Sequence, residues 1–194
     1  MIRYSLSLIF LILLAIIAQQ FLPVFISLYN ARLFLLLAVF LCASITVPLP
    51  VMLFYALLGG FLWDAHCSLS SMEVDPYVYP DPVPSLRFGM SILLFGFTGL
   101  FMQGFRPLFL EGKWHLFAFL TGAATFLFCL SEYLMIDFAR GSFTIHSKVL
   151  LQCFYTALFS IIISPVIFAL LFQLAKWHRH TIIPGLKDKN NYLS

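Results

Sequence analysis

The sequence predicts an all-α integral membrane protein, a bundle of about six transmembrane helices of which two are short. Composition carries the first half of that statement. Hydrophobic residues make up 62% of the chain, charged residues only 10%, and the mean hydropathy is +0.99. A soluble domain carries about 25% charged residues, so 194 residues with this little charge cannot cover a water-facing surface. Charge distribution adds a second observation: the first 63 residues hold only Arg3 and Arg32, and Asp64 is the first acidic residue. The third is segmentation, because apolar runs of membrane-spanning length alternate with short polar or Pro-containing connections.

The first helix is read over residues 4–28, long enough to cross a hydrocarbon core of about 30 Å at about 1.5 Å per residue. Its basic start imitates a signal peptide, but the apolar run exceeds the usual 7–15 residues and Gln19-Gln20-Phe21 is a poor cleavage site. Pro23 falls near its far end, and Tyr29-Asn30-Ala31-Arg32 reads as a tight turn. The second and third helices are read over 31–47 and 50–63. A single helix over Leu33–Trp63 would be roughly 46 Å long, well beyond the core. Val47-Pro48-Leu49-Pro50 is a turn, since proline lacks the helical amide and biases its predecessor away from helical angles.

In Val51–Asp64, VMLFYALLGGFLWD, a Gly59-Gly60 pair precedes a stop at Trp63-Asp64, where an apolar helix meets water or a polar partner. Residues 64–87 form an external loop with Asp64, Glu73, Asp75 and Asp81 against Arg87. Its Pro76, Pro80, Pro82 and Pro84 alternate with Tyr77 and Tyr79, rings suited to the headgroup level. The fourth helix, 88–105, has Gly96 and Gly99 on neighbouring turns, which favours close helix approach. The fifth covers 114–136, interrupted by Ser131-Glu132. The sixth covers 149–175 with Pro165 near its middle, and a tail over 176–194 closes the chain.

Lys and Arg counts orient the bundle. Arg3, Arg106, Lys113, Lys176, Arg179, Lys187 and Lys189 fall on one side, and Arg32, Arg87, Arg140 and Lys148 on the other. The positive-inside rule then places both termini in the cytoplasm and the acidic Pro/Tyr loop outside.

Glu132 is the clearest intramembrane ionisable residue, a functional candidate because its burial in hydrocarbon is costly. It can be paired with Arg140 or an interhelical donor, take part in substrate coupling, or contact another membrane protein. Asp64 and Arg87 bracket the external loop and can pair across its base. His178 and His180 flank Arg179 where headgroups lie, and His66-Cys67 is a poor joint metal ligand. Cys42, Cys129 and Cys153 sit in apolar segments and Cys67 alone in a loop, so no disulfide framework is expected. A net charge of +3, small and scattered, argues against nucleic acid. No GxSxG, HExxH, P-loop, DxD or DxxD pattern occurs, so neither catalysis, metal nor cofactor is expected.

The stretch Leu57–Asp64, LLGGFLWD, resembles the MreD family of rod-shape-determining membrane proteins, in which a short apolar helix ends in a Gly…Asp element before a Gly-led next helix. Arg87-Phe88-Gly89-Met90-Ser91 would be that restart, and Thr156–Lys176 resembles the family's proline-interrupted last helix with its basic end. The interval from Asp64 to Gly89 is longer than the family's usual loop. The resemblance implies a non-catalytic scaffold of the bacterial inner membrane, acting in lateral wall synthesis with an MreC-like protein, MreB and the cell-wall polymerase and transpeptidase. Gly59, Gly60, Asp64, Arg87, Gly89 and Glu132 are the candidate structural or partner-contact positions. The alternative is the substrate-binding membrane subunit of an energy-coupling-factor vitamin transporter, which is similar in size and helix number.

Overall fold

The computed structural model describes residues 2–72, 88–107, 114–139 and 147–178. The connections at 73–87, 108–113 and 140–146 and the tail from 179 lie outside the described residues. So do the expected Asp64–Arg87 pair, the Glu132–Arg140 pair and the acidic Pro/Tyr run.

Among the described residues six α-helices follow in order: α1 (Ile2–Gln20), α2 (Leu35–Thr46), α3 (Leu49–Met72), α4 (Met90–Gly104), α5 (Trp114–Ala139) and α6 (Ser147–Trp177). Four of them, α1, α3, α5 and α6, are long and apolar enough to cross a membrane. The two short helices are α2 and α4, of 12 and 15 residues. At 1.5 Å per residue these are about 18 and 22 Å long, less than a hydrocarbon core.

The bundle is built around α2. Every residue from Leu36 to Thr46 is buried, and α2 touches all five other helices. A helix that is apolar all round must be enclosed on every side, and its neighbours do this. Phe40 of α2 and Tyr55, Phe95, Phe117, Phe128 and Phe168 of its neighbours fill the interior. The outward faces are equally apolar: Phe10 and Phe119 are each 68% exposed, and Ile162 on α6 is 71% exposed. Interior Thr and Ser hydroxyls turn back to carbonyls one turn earlier, as Thr121 does to Phe117 at 2.7 Å and Thr125 to Thr121 at 2.8 Å.

In the interior, Ser164 of α6 meets Thr121 of α5 at 3.4 Å and Cys42 of α2 at 3.6 Å, and the other hydrogen bonds between elements lie toward the two ends of the bundle. At one end Tyr4 donates to Thr46 at 3.0 Å, Tyr55 donates to the Ser5 carbonyl at 3.1 Å, and Ser7 meets His178 at 2.8 Å. Gln103 donates to the carbonyls of Ser44 and Val47 there, satisfying groups that the C-terminus of α2 leaves unpaired. At the other end stand the C-termini of α1, α3 and α5 and the N-termini of α2, α4 and α6. Successive helices therefore alternate in direction.

Several element boundaries differ from expectation. The first helix ends at Gln20, before Pro23, and residues 21–34 form a separate connection. That connection contains a short 3-10 turn over Ile26–Leu28, and Phe25 pairs with Ala31 in a bridge. Tyr29 and Asn30 adopt left-handed angles, making the tight turn, and Tyr29 stacks on Tyr155. The third helix does not stop at Trp63-Asp64; it runs on to Met72, because the Asp64 carboxylate turns inward to α4 while its backbone stays helical. Cys67 consequently lies on a helix and packs against the core instead of standing alone in a loop. His178 is held by Ser7. Of the two glycines spaced for close approach, only Gly99 meets neighbours: a Cβ there would come within 2.8 Å of Phe40, whereas Gly96 faces open space.

Candidate functional site

The polar end of the bundle collects the side chains that the sequence singles out, together with several that it does not. Asp64 sits about two thirds of the way along α3 and is only 5% exposed. Its Oδ2 accepts the Gly89 amide N–H at 2.6 Å, across 25 residues of chain. Gly89 is the N-terminal cap of α4 and has a φ of 98°, a conformation that side chains with a Cβ rarely adopt. The carboxylate thus engages an amide at the start of α4 and lies where the helix dipole favours negative charge.

Gly60, one helical turn before Asp64, sets the approach of α3 to α4. A Cβ at Gly60 would lie 2.5 Å from the Cα and 2.6 Å from the amide nitrogen of Ile92, backbone that cannot swing aside. Gly59 faces the Phe95 ring at 3.1 Å. The Gly-Gly…Asp element and the glycine that restarts the chain are one contact: close backbone packing at Gly60, then a side-chain lock from Asp64 to Gly89.

Glu132 lies near the C-terminal end of α5. The interhelical donor it meets is the indole N–H of Trp63, 3.1 Å from Oε1. Neither Glu132 Oε2 nor the guanidinium of Arg32 takes a partner among the described residues. Trp63 packs edge-on against Phe34, with ring centroids 5.0 Å apart, and lies 6.1 Å from the His66 ring. Gln20 holds His66, its amide nitrogen 3.0 Å from Nδ1. Gln19 accepts the Leu36 N–H at 3.0 Å, supporting the start of α2. Gln152 on α6 donates to the Asn30 carbonyl at 3.3 Å.

Two cavities lined by described residues open in this layer. One, of about 160 Å³, is lined by Glu132, Gln152, Thr156 and the thiols of Cys129 and Cys153, among others. The second, of about 190 Å³, is lined by Gln19, Gln20, Arg32, Trp63 and His66. Phe34 lines both. Sequence reasoning picked out Asp64, Gly60, Gly89 and Glu132 but passed over Trp63, Phe34, Gln19, Gln20 and Gln152. Adjacent glutamines closing an apolar run were the available signal, since amides are costly in hydrocarbon without partners.

Compared with known protein families, with curated proteins and with solved structures, the chain matches none.

Proposed function

We propose that this chain is a multi-pass bacterial inner-membrane protein and a non-catalytic scaffold of the cell-wall elongation machinery, working beside an MreC-like protein, MreB and the wall polymerase and transpeptidase. The observation that carries the reading is the Asp64–Gly89 contact at 2.6 Å. It joins the two positions that the MreD resemblance singles out and closes the long interval between them at its base. The carboxylates that would be the first suspects for chemistry both make architectural bonds: Asp64 engages the start of α4, and Glu132 receives the Trp63 indole.

The alternating helix directions support six passes. The four long helices with apolar outward faces meet the lipid, and α2, buried throughout, needs no length match to the bilayer because protein surrounds it. Both termini are then cytoplasmic, and the polar end layer with its two cavities faces the outside. A scaffold of this kind works through packing faces and through the segment between α3 and α4.

Depletion in a rod-shaped host should round the cells, and photo-crosslinkers placed between Asp64 and Arg87 should capture the MreC-like protein. Unchanged cell shape on depletion, or a vitamin co-purifying with the isolated chain, would overturn the reading.

A further inference from the structure

The two end-layer cavities adjoin at Phe34, and their charged linings are opposite in sign. Phe34 lines both, and Trp63, packed edge-on against it, lines the second while its indole N–H reaches Glu132 in the first. The Glu132 carboxylate spends one oxygen on that indole and leaves Oε2 without a partner among the described residues. In the adjoining cavity the Arg32 guanidinium likewise has no partner among the described residues. No Glu132–Arg32 ion pair forms among the described residues, and Trp63, which donates to the carboxylate, also lines the basic cavity.

Acceptors surround Glu132. Gln152 turns its amide N–H toward Asn30, which leaves its carbonyl oxygen as an acceptor, and the Thr156 hydroxyl lines the same cavity. A primary ammonium has three N–H donors to distribute. Around Arg32 the chemistry reverses: Gln19 commits its oxygen to Leu36 and keeps its amide N–H groups, so donors join the guanidinium. At about 160 and 190 Å³, each cavity is smaller than the 300–1,000 Å³ typical of sites for drug-sized ligands. Each has room for a small polar group.

We propose that the paired cavities bind a phosphoethanolamine headgroup, its ammonium against Glu132, Gln152 and Thr156 and its phosphate against Arg32 and the neighbouring amides. The proposal rests on the membrane-inserted reading but not on the role in cell shape. The chemistry also sets selectivity. A choline headgroup carries no N–H to donate, and a glycerol headgroup carries no cation for Glu132. Phosphatidylethanolamine is therefore favoured over phosphatidylcholine and over phosphatidylglycerol.

The test is native mass spectrometry of the purified full chain offered equal amounts of the three lipids. Phosphatidylethanolamine should be retained at least tenfold over each of the others. Glu132→Gln, which keeps an oxygen for the Trp63 indole, should abolish the preference over phosphatidylcholine. Arg32→Gln, at an exposed position, should lower retention of phosphatidylethanolamine severalfold while elution and helicity stay unchanged. Displacement of the bound lipid by soluble O-phosphoethanolamine would support the site and assign it to a free ligand. Retention of the lipid against a large excess would support it as a lipid-headgroup site. Equal retention of all three lipids, or an undiminished preference in Glu132→Gln, would overturn the proposal. Extraction of the chain from membranes at alkaline pH tests membrane insertion separately.

Discussion

Asp64 and Gly89, separated by 25 residues of chain, are joined by a carboxylate-to-amide hydrogen bond of 2.6 Å that ties the body of α3 to the first turn of α4. Hydrogen bonds to a charged group contribute about 1.5–3 kcal/mol, and this carboxylate is buried and lies at the positive end of a helix dipole. Asp64→Ala should therefore lower stability by about 2 kcal/mol, seen as an earlier midpoint of thermal unfolding in detergent. Asp64→Asn keeps an oxygen for the Gly89 amide but loses the charge, and should fall between the two. A wild-type midpoint for Asp64→Ala would remove the lock from the account.

Gly60 and Gly96 make a paired comparison, because both are helical and only one meets backbone. In an open helical position Gly→Ala gains roughly 0.5–1 kcal/mol from propensity. Gly96 has open space, so Gly96→Ala should be neutral or stabilising by that amount. Gly60→Ala drives a methyl group against the Ile92 backbone and forces α3 and α4 apart, at a cost of about 1–3 kcal/mol typical of overpacking. Unfolding midpoints of the two variants should move in opposite directions, and a common shift would contradict the packing described.

The contrast between those two glycines shows where sequence reasoning stops. Spacing of Gly96 and Gly99 says that they lie on neighbouring turns, not which of them faces a neighbour, since that depends on how α4 is rotated against α2 and α3. Helical class, the break at Val47-Pro48 and four long apolar helices were all legible, because composition and proline chemistry act locally. The end of α3 was not. Asp64 reads as contact with water or with a polar partner, and which of the two rests on an amide 25 residues away. The enclosure of α2 was equally hidden: an apolar run of 12 residues looks the same whether lipid or protein covers it. For Glu132 a donor was expected among other readings, but nothing in the spacing pointed to the indole of Trp63.

Trp63 and Glu132 should behave as a coupled pair. Trp63→Phe keeps most of the ring and its edge-on contact with Phe34 but removes the N–H, leaving the acceptor 3.1 Å away without its donor. The cost expected for an acceptor stranded in this way is about 1–3 kcal/mol. Glu132→Leu strands the indole in turn. Removing both partners leaves no polar atom unsatisfied, so the double variant should be less destabilised than the sum of the single ones by about 1 kcal/mol or more. Strict additivity in a double-mutant cycle would show that the bond contributes nothing.

Ser91 presents the opposite case. It lies in the first turn of α4, 1% exposed, and its hydroxyl oxygen has no hydrogen-bond partner among the described residues. Burying an unpaired hydroxyl costs about 1–3 kcal/mol on the mutational scale, whereas the bonds made by Asp64 and Trp63 nearby offset the burial of their polar groups. Ser91→Ala removes only the orphan oxygen, opens a space smaller than a water molecule and improves helix propensity. This variant should therefore raise the unfolding midpoint by the equivalent of about 1 kcal/mol, the reverse of Asp64→Ala two residues from the same helix cap. A loss of stability in Ser91→Ala would mean that the hydroxyl is engaged, and the start of α4 would then be held by a second side chain besides Asp64.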